Sequence, residues 1–340
     1  MAAFAEGVPC WADVLLSDLA AGRRFYGELF GWSFEEIATD YGTFTRALLG
    51  GKDVAGLVPK PDGRMPTVWN IYFAAQDAAA TAVRIREAGG WLITPPVWID
   101  GFCVMATAAD PGGAVFGIWQ AGSHAGFARR GTPGSYGWTE VHTRQPRAVD
   151  AFYRAVFGYG MVPAAPPSAE PSEQPSAESP APPPTEPSAP PPQPSSAEPS
   201  AEPSMRPSAP SPGMSPAVPS TPSSGSPSDA SPAPSPGASA VPSAEGAPAD
   251  VVLWMPHGEP PDPRHAIGGR VVMGEEYPAV LPSHFLTYFV VADCDHTLRT
   301  AHRLGGRVLK SAKDTPYGRF AVLADNQGAA FAVIDTSTAG

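Results

Sequence analysis

The sequence predicts an α+β fold that is built twice along the chain. The phrase FYGELFGW at residues 25–32 nearly returns as FYRAVFGY at residues 152–159. Each copy also contains several short strand-like segments and helix-like segments with apolar residues at helical spacing. A tract rich in proline, serine and alanine interrupts the second copy at residues 163–248. We therefore expect two similar domains, the second of which carries a long insertion.

The repeat extends well beyond the quoted phrase. At a shift of 127 positions, the aligned pairs include Trp11 with Trp138, Asp13 with Glu140, Phe25 with Phe152 and Tyr26 with Tyr153. Later blocks align at shifts of 216 and 215, and they pair Tyr72 with Tyr288, Asp77 with Asp293 and Asp110 with Asp325. The shift grows by about the length of the proline-rich tract, so the tract interrupts a duplicated domain.

The first copy is predicted to begin with a strand and a helix. The segment CWADVLL at 10–16 alternates and is rich in strand formers, and LAAGRRFYGELF at 19–30 has apolar residues at helical spacing. Gly31 follows where a glycine commonly ends a helix. The other predicted elements of this copy are strands at 44–50, 53–59 and 70–75, a helix at 78–90, and strands at 101–110 and 114–120.

The second copy repeats this order. The segment PRAVDAFYRAVF at 146–157 is predicted to be a helix, with Pro146 at its start, where the missing N–H costs little. The tract at 163–248 holds 28 of the 44 prolines and no aromatic residue, so we expect it to be disordered. Each domain then reads as two βαβββ modules, which is typical of an α+β fold with helices outside curved sheets.

Charge and composition exclude several classes of protein. The chain carries a net charge of −11, most of it in the proline-rich tract, so nucleic-acid binding is not expected. The cysteines Cys10, Cys103 and Cys294 lie far apart without metal-ligand spacing, which fits a reducing compartment. No signal-peptide pattern and no apolar run of about 18 residues occurs. We therefore expect a cytoplasmic protein without a membrane span.

Three segments of each copy together indicate a family. The phrases AAGRRFYGELFGW, DAAATAVRIREAGGWLI and DPGGAVFGIWQ in the first copy resemble the vicinal oxygen chelate superfamily, which includes glyoxalase I, bleomycin-resistance proteins and extradiol dioxygenases. The second copy repeats them as AVDAFYRAVFGYG, DCDHTLRTAHRLGG and DNQGAAFAVID. The resemblance implies a first domain at 7–122, a linker at 123–134, and a second domain at 135–337 interrupted by the tract.

The resemblance also assigns the positions at which metal-using members carry their ligands. In this sequence they fall on Trp11, Gly56, Asn70 and Gly117 in the first domain and on Trp138, Gly269, Leu286 and Ala332 in the second. Divalent metals need carboxylate, imidazole or thiolate ligands, so this set is inadequate. We therefore expect no metal and no other cofactor.

A shifted metal site is the alternative. Side chains two apart on a strand share a face, so Glu140 and His142 point the same way and His284 could join them from another strand. Two histidines and a carboxylate would resemble an iron(II) facial triad. Such a site would be confined to the second domain, and a divalent metal would then be the cofactor.

The acids Asp13 and Glu140 occupy equivalent positions beside Trp11 and Trp138 and are the candidate catalytic residues. A carboxylate on an inward face is costly unless it is hydrogen-bonded. Each acid could be a general base with a raised pKa, with the tryptophan as a wall for a planar ligand. Each could instead fix the two halves of its domain through hydrogen bonds. The candidate ligand-binding residues are Trp11, Trp138, His142 and Asn70.

Three functions follow as hypotheses. The first is a metal-free glyoxalase-like protein that binds or acts on a small hydrophobic or carbonyl metabolite, as a lyase or oxygenase if it is catalytic. The second is a non-catalytic protein that sequesters an aromatic natural product, as bleomycin-resistance proteins do. The third is a metal-dependent lyase or dioxygenase with the shifted site. The expected partner is a small molecule, and the chain is expected to be a monomer with pseudo-dimeric domain pairing or a homodimer.

Overall fold

The computed structural model describes residues 4–39, 42–99, 101–164, 250–260 and 262–339. In these ranges the α-helices are α1 Leu19–Phe30, α2 Ala78–Glu87, α3 Pro146–Phe157 and α4 Cys294–Arg303. The strands of the first copy are β1 Pro9–Leu16, β2 Ser33–Thr39, β3 Gly42–Leu49, β4 Lys52–Pro59, β5 Trp69–Ala74, β6 Trp91–Ile99, β7 Cys103–Ala109 and β8 Val115–Ala121. Those of the second are β9 Tyr136–Thr143, β10 Gly160–Pro163, β11 Val251–Met255, β12 Gly268–Val272, β13 His284–Val290, β14 Arg307–Thr315, β15 Gly318–Ala324 and β16 Ala330–Asp335. Short 3₁₀ turns occupy Pro263–His265 and Thr336–Thr338.

Helices α1 and α3 have the bounds that the sequence predicts. The side chain of Asp18 accepts a hydrogen bond from the backbone N–H of Ala21 and caps the start of α1. Gly31 and Gly158 follow the two helices with φ of 74° and 71°, a left-handed conformation that glycine adopts without strain. The repeated Phe-Gly therefore marks two equivalent helix ends.

Four βαβββ modules pair into two sheets. The first sheet has the order β2-β3-β4-β1-β5-β8-β7-β6, and the second has the order β10-β11-β12-β9-β13-β16-β15-β14. In each sheet the first strands of two modules pair antiparallel at the centre, as β1 with β5 and β9 with β13. The prediction of tandem α+β domains built from paired βαβββ modules is confirmed.

The helix-bearing faces of the two sheets share one aromatic core. Phe30 and Trp69 of the first copy contact Phe289 of the second, with ring centroids 5.1 and 4.8 Å apart. Phe73 contacts Phe285 at 5.7 Å in the same way. The two copies are therefore one folded body, stabilised by apolar area that neither sheet would bury alone.

Crossed hydrogen bonds join the two copies through this core. The hydroxyl of Tyr26 on α1 donates to Asp325 Oδ2 at 2.8 Å, and the hydroxyl of Tyr153 on α3 donates to Asp110 Oδ2 at 3.3 Å. Both aspartates stand in the turn before the last strand of the opposite copy and are almost fully buried. Each tyrosine of the repeated phrase thus satisfies an acid of the other copy.

The opposite faces of the sheets form the two candidate cups. Neighbours on a strand point to opposite faces, so Phe73 joins the shared core while Tyr72 faces away from it. In the same way, Phe289 joins the core and Tyr288 faces away. The first cup is the face of the first sheet that carries Trp11, Asp13, Asn70 and Tyr72. The second cup is the face of the second sheet that carries Trp138, Glu140, His142 and Tyr288.

The insertion belongs to a single hairpin. Strand β10 pairs antiparallel with β11, with Pro163 opposite Val252, and the N–H of Ala164 donates to the carbonyl of Val251. Pro163, predicted to begin the disordered tract, is the last residue of β10. The rest of the predicted tract, from residue 165 on, lies outside the described residues. The tract therefore connects two neighbouring strands.

Two further observations concern membrane spans and cysteines. The helices in the described ranges are all too short or too polar to cross a membrane. Cys10, Cys103 and Cys294 are free and buried, so none of the three takes part in a disulfide.

We predict that replacing residues 165–249 with a turn of about four residues leaves the fold intact, because hairpin strands need only a short connection. The thermal unfolding midpoint of the shortened chain should equal that of the full chain. A large fall in that midpoint would show that the tract contributes to folding of the second sheet.

We predict that Tyr26→Phe lowers the free energy of unfolding by about 2 kcal/mol, since it removes the donor to buried Asp325. It also removes the acceptor of the Trp69 indole N–H, which lies 3.1 Å from the hydroxyl. Tyr136→Phe is the matched control, because the buried Tyr136 hydroxyl has no hydrogen-bond partner in the described chain. Equal effects of the two variants in urea unfolding would contradict the proposed role of the crossed bonds.

Candidate functional site

The first cup holds Asp13 in a closed hydrogen-bond network. Strands β1 and β5 place Asp13 opposite Asn70 and Trp11 opposite Tyr72. The amide of Asn70 donates to Asp13 Oδ1 at 2.8 Å, and the hydroxyl of Tyr72 donates to Asp13 Oδ2 at 2.8 Å. Asp13 is only 5% exposed. Both carboxylate oxygens are thus satisfied within the sheet.

Residues after β8 fill the first cup. His124 meets Trp11 edge-on at 4.7 Å and stacks on Phe102 at 5.3 Å, while Phe127 contacts Trp11 at 5.5 Å. Gly126 allows this approach, because a Cβ there would lie 2.2 Å from the carbonyl oxygen of Cys10. The segment expected to be a linker at 123–134 therefore plugs the cup, and Trp11 is fully buried.

Burial controls the ionisation of Asp13. Removal from water raises the pKa of Asp13 to about 6, although the bonds from Asn70 and Tyr72 favour the ionised form. The raised pKa expected for this acid is present. The acid is covered by the plug and is almost fully buried.

The positions assigned to metal ligands do not fit a metal in the first cup. Any side chain at Gly117 would collide with the ring of Tyr72, since a Cβ there would lie 2.0 Å from that ring. A Cβ at Gly56 would lie 2.8 Å from the ring of Phe44. Aromatic rings thus occupy the space that ligand side chains would need, and Trp11 and Asn70 supply no adequate donor.

The second cup holds Glu140 in an equivalent but more open network. The indole N–H of Trp138 donates to Glu140 Oε1 at 3.2 Å, and the hydroxyl of Tyr288 donates to Oε2 at 2.9 Å. His142 Nε2 lies 3.5 Å from Oε2. Trp138 is half-buried and the Glu140 side chain is 17% exposed, whereas their first-copy counterparts are buried.

His142 extends this network towards the loop before β13. Its Nδ1 is 2.9 Å from the hydroxyl of Tyr277, so the imidazole lies between that phenol and the Glu140 carboxylate. The result is a chain of polar groups running from Tyr277 through His142 and Glu140 to Tyr288. Such a chain can hold a proton at more than one atom.

The pKa of Glu140 differs from the expected direction. Burial alone would raise it, but the contact with His142 and the hydrogen bonds from Tyr288 and Trp138 outweigh burial and lower the pKa of Glu140. The expectation of a raised pKa is therefore wrong for this acid. The two acids that align in sequence occupy electrostatically different sites, because the first copy has Leu15 where the second has His142.

The shifted metal site does not assemble. The rings of His142 and His284 stack 5.1 Å apart and nearly parallel, and His284 Nδ1 lies 2.9 Å from the carbonyl oxygen of Pro282. Burial and the neighbouring His142 lower the pKa of His284 to about 4. Throughout the described ranges, no three His, Cys, Asp or Glu side chains are grouped so that they could hold a metal ion. Glu140, His142 and His284 do lie side by side on one face, but in the described residues their arrangement gives no support to the alternative of a shifted metal site.

Two tyrosines that carry this chemistry are missing from the candidates chosen by sequence. Tyr72 and Tyr288 each donate to the acid of their own cup, from equivalent positions. Their alignment at a shift of 216 positions is visible in the sequence. In the sequence this alignment indicates only the duplication, because tyrosine and acid come together only when β1 pairs with β5.

One small cavity lies outside both acid networks. It measures about 100 Å³ and is lined by residues of β1, β5, β8 and the N-terminal segment, among them Phe4, Cys10 and Trp119. Burial raises the pKa of the Cys10 thiol far above its usual range. This cavity therefore offers no reactive group, and the second cup is the stronger candidate site.

Comparison with known proteins agrees with this architecture. No family model matches the chain. The chain is 29% identical to the anthracycline biosynthesis protein DauV of Streptomyces sp. (strain C5), over 98% of this chain and 95% of that protein. It is 28% identical to the putative glyoxylase CFP32 of Mycobacterium tuberculosis (strain CDC 1551 / Oshkosh), over 97% and 95%.

Solved structures share the fold. The 2,2',3-trihydroxybiphenyl 1,2-dioxygenase from dibenzofuran-degrading Sphingomonas wittichii strain RW1 superposes with a TM-score of 0.51 at 11% identity, covering 97% of this chain and 91% of that chain. At this identity the likeness concerns the arrangement of the strands and helices.

The two acids should make the free energy of unfolding depend on pH in opposite directions. The raised pKa of Asp13 contributes stability below about pH 4, and this contribution is lost as the pH rises through about 6. The free energy of unfolding of Asp13→Asn, relative to that of the wild type, should therefore rise by up to about 3 kcal/mol between pH 4 and 7. Urea unfolding at a series of pH values measures the difference.

Glu140→Gln is the matched variant for this experiment. The lowered pKa of Glu140 contributes stability above its ordinary pKa, and the contribution is lost as the pH falls through the folded-state value. The free energy of unfolding of Glu140→Gln, relative to that of the wild type, should thus fall as the pH rises. Curves of the same sign for both variants would contradict the assignment of two different environments.

Proposed function

Because the chain has the tandem vicinal oxygen chelate fold, we propose that its second cup binds a small planar aromatic or carbonyl metabolite and moves a proton on it without a metal. The observation that carries this proposal is the chain of polar groups Tyr277–His142–Glu140–Tyr288 beside a half-buried Trp138. The first cup has the same acid and tyrosine but is plugged. Of the two cups, the second is therefore the one whose titratable groups are partly exposed to solvent.

Trp138 provides the apolar wall of this site. Its indole is held by the bond to Glu140, which leaves a ring face for a planar ligand. Leu286 and Phe320 lie on the same face of the sheet and extend the apolar surface. A ligand with fused or single aromatic rings would bury area against these side chains.

Glu140 and His142 provide the proton chemistry. With its lowered pKa, Glu140 is ionised at neutral pH, and its Oε2 lies 3.5 Å from His142 Nε2. His142 would then give a proton to a ligand oxygen or receive one from it, with Tyr277 bonded to the other ring nitrogen. In this scheme Glu140 positions the imidazole, and Asp13 is a structural group of the first cup.

The relatives support an aromatic or carbonyl ligand. The name of the Streptomyces protein places it in anthracycline biosynthesis, which favours a polycyclic aromatic compound. The name of the Mycobacterium protein favours a small carbonyl compound. The donor set of neither cup fits the metal of metal-using members, so no step is assigned to a metal.

Sequestration without turnover is the second candidate. It is favoured by the fact that both carboxylate oxygens of Glu140 already accept hydrogen bonds from Trp138 and Tyr288. An acid with both oxygens engaged supports binding and the arrangement of the site more readily than direct proton abstraction.

We predict that His142→Gln and Glu140→Gln lower turnover at least about 100-fold, because each breaks the proton chain. Purified protein would be assayed with methylglyoxal plus a thiol and with a dihydroxyanthraquinone. Asp13→Asn should retain turnover within about twofold, since its cup is plugged. A chelator should leave the rate unchanged.

Each result separates the candidates. Tight binding of the anthraquinone with no turnover of either compound would favour sequestration. Stoichiometric metal in the purified protein, or loss of activity with chelator, would overturn the metal-free proposal. Equal losses in Asp13→Asn and Glu140→Gln would overturn the assignment of function to the second cup.

A further inference from the structure

A lysine shares the face of the second cup with the polar chain. Adjacent strands place Trp138 opposite Tyr288, Tyr288 opposite Ala332, Ala332 opposite Val322, and Val322 opposite Lys310. Residues paired across strands point to the same face. Lys310 therefore stands in one row with the tryptophan and the tyrosine of the site.

Aromatic rings connect Lys310 with the acid of the cup. The Lys310 ammonium lies 5.4 Å from the ring centroid of Phe320, and this ring lies 6.2 Å from that of Tyr288. Tyr288 in turn donates to Glu140. The lysine thus sits at the far end of an apolar floor whose other end is the Glu140 network.

The Lys310 ammonium lacks a close counter-ion in the described chain. Two other cations with little exposure have a carboxylate within 4 Å, since Arg46 has Asp53 and Arg270 has Asp150, whereas Lys60 and Arg129 are also partly buried and form no ion pair within the described ranges. Lys310 forms no such pair, and its contact is the ring of Phe320. Burial and Lys313 lower the pKa of Lys310, while Glu140 and Glu276 act in the opposite direction. A half-buried cation without a partner gains most from an incoming anion.

The first cup has no counterpart to this charge. Its equivalent row runs through Trp11, Tyr72, Gly117, Thr107 and Thr94. The residue in the place of Lys310 is Thr94, whose hydroxyl accepts a hydrogen bond from the N–H of Thr107. The cation is therefore a feature of the open cup alone.

We propose that Lys310 binds an ionised oxygen of the ligand, so that the second cup selects aromatic compounds that carry a phenolate, enolate or other acidic group. This inference rests on the function proposed above. The rings of the ligand lie over Phe320 and against Trp138, and the anionic oxygen lies at the ammonium. Glu140, already bonded to Trp138 and Tyr288, remains at the other end of the floor and keeps a second negative group of the ligand away.

A pair of fluorescent probes tests this selectivity in the full chain. Anilinonaphthalene sulfonate is anionic, and N-phenylnaphthylamine has the same aromatic parts without the charge. Lys310→Met should weaken binding of the sulfonate at least about tenfold and change binding of the neutral probe less than about twofold. Lys310→Arg should retain the preference, and Lys313→Met, on the same strand but exposed, should leave both affinities unchanged.

Trp138→Ala separates failure of this inference from failure of the proposed function. If Trp138→Ala weakens both probes and Lys310→Met leaves their ratio unchanged, the cup binds aromatic ligands but Lys310 does not select the anion. If Trp138→Ala affects neither probe, the second cup is not the binding site and both proposals fall. An equal loss in Lys310→Met and Lys313→Met would show a general charge effect and overturn the assignment to Lys310.

Discussion

The structure depends on the bonds by which each copy satisfies a buried acid of the other. Tyr26 reaches Asp325, and Tyr153 reaches Asp110, across a core that both sheets share. Burial raises the pKa of Asp110 to about 6 and that of Asp325 as well. Backbone N–H groups of its own turn already bond to each acid, and the tyrosine hydroxyl adds a donor from the other copy. These bonds help to hold the helix-bearing faces of the two sheets together. The opposite faces therefore point away from the shared core and carry the two cups.

The elements with strong local signals could be predicted from the sequence. Helices α1 and α3 have a regular apolar spacing and a glycine at the end, and both have the predicted bounds. Strand β2, with the sequence SFEEIAT, has no segment of its own among the predictions. It lies at the edge of a sheet and is largely exposed, so its sequence carries little of the alternation that burial imposes.

The site could be predicted only in part, because its chemistry depends on contacts distant in sequence. Equal spacing suggested that Asp13 and Glu140 have the same environment. The structure separates them through His142, which is near Glu140 in the chain, and through His124, which reaches Trp11 from a segment expected to be a linker. No periodicity marks a plug of this kind. The stacking of His142 on His284 is equally a matter of side-chain orientation, which strand alternation does not specify.

Because the first cup is closed, substitutions in the two halves of the duplicated protein have different consequences. Changes at the buried Trp11 or Phe127 alter packing, whereas changes at the partly exposed Trp138 or Glu140 of the second sheet also alter the surface that meets the solvent. Substitutions on the second face can therefore change the exposed surface while the first half continues to supply apolar area to the shared core.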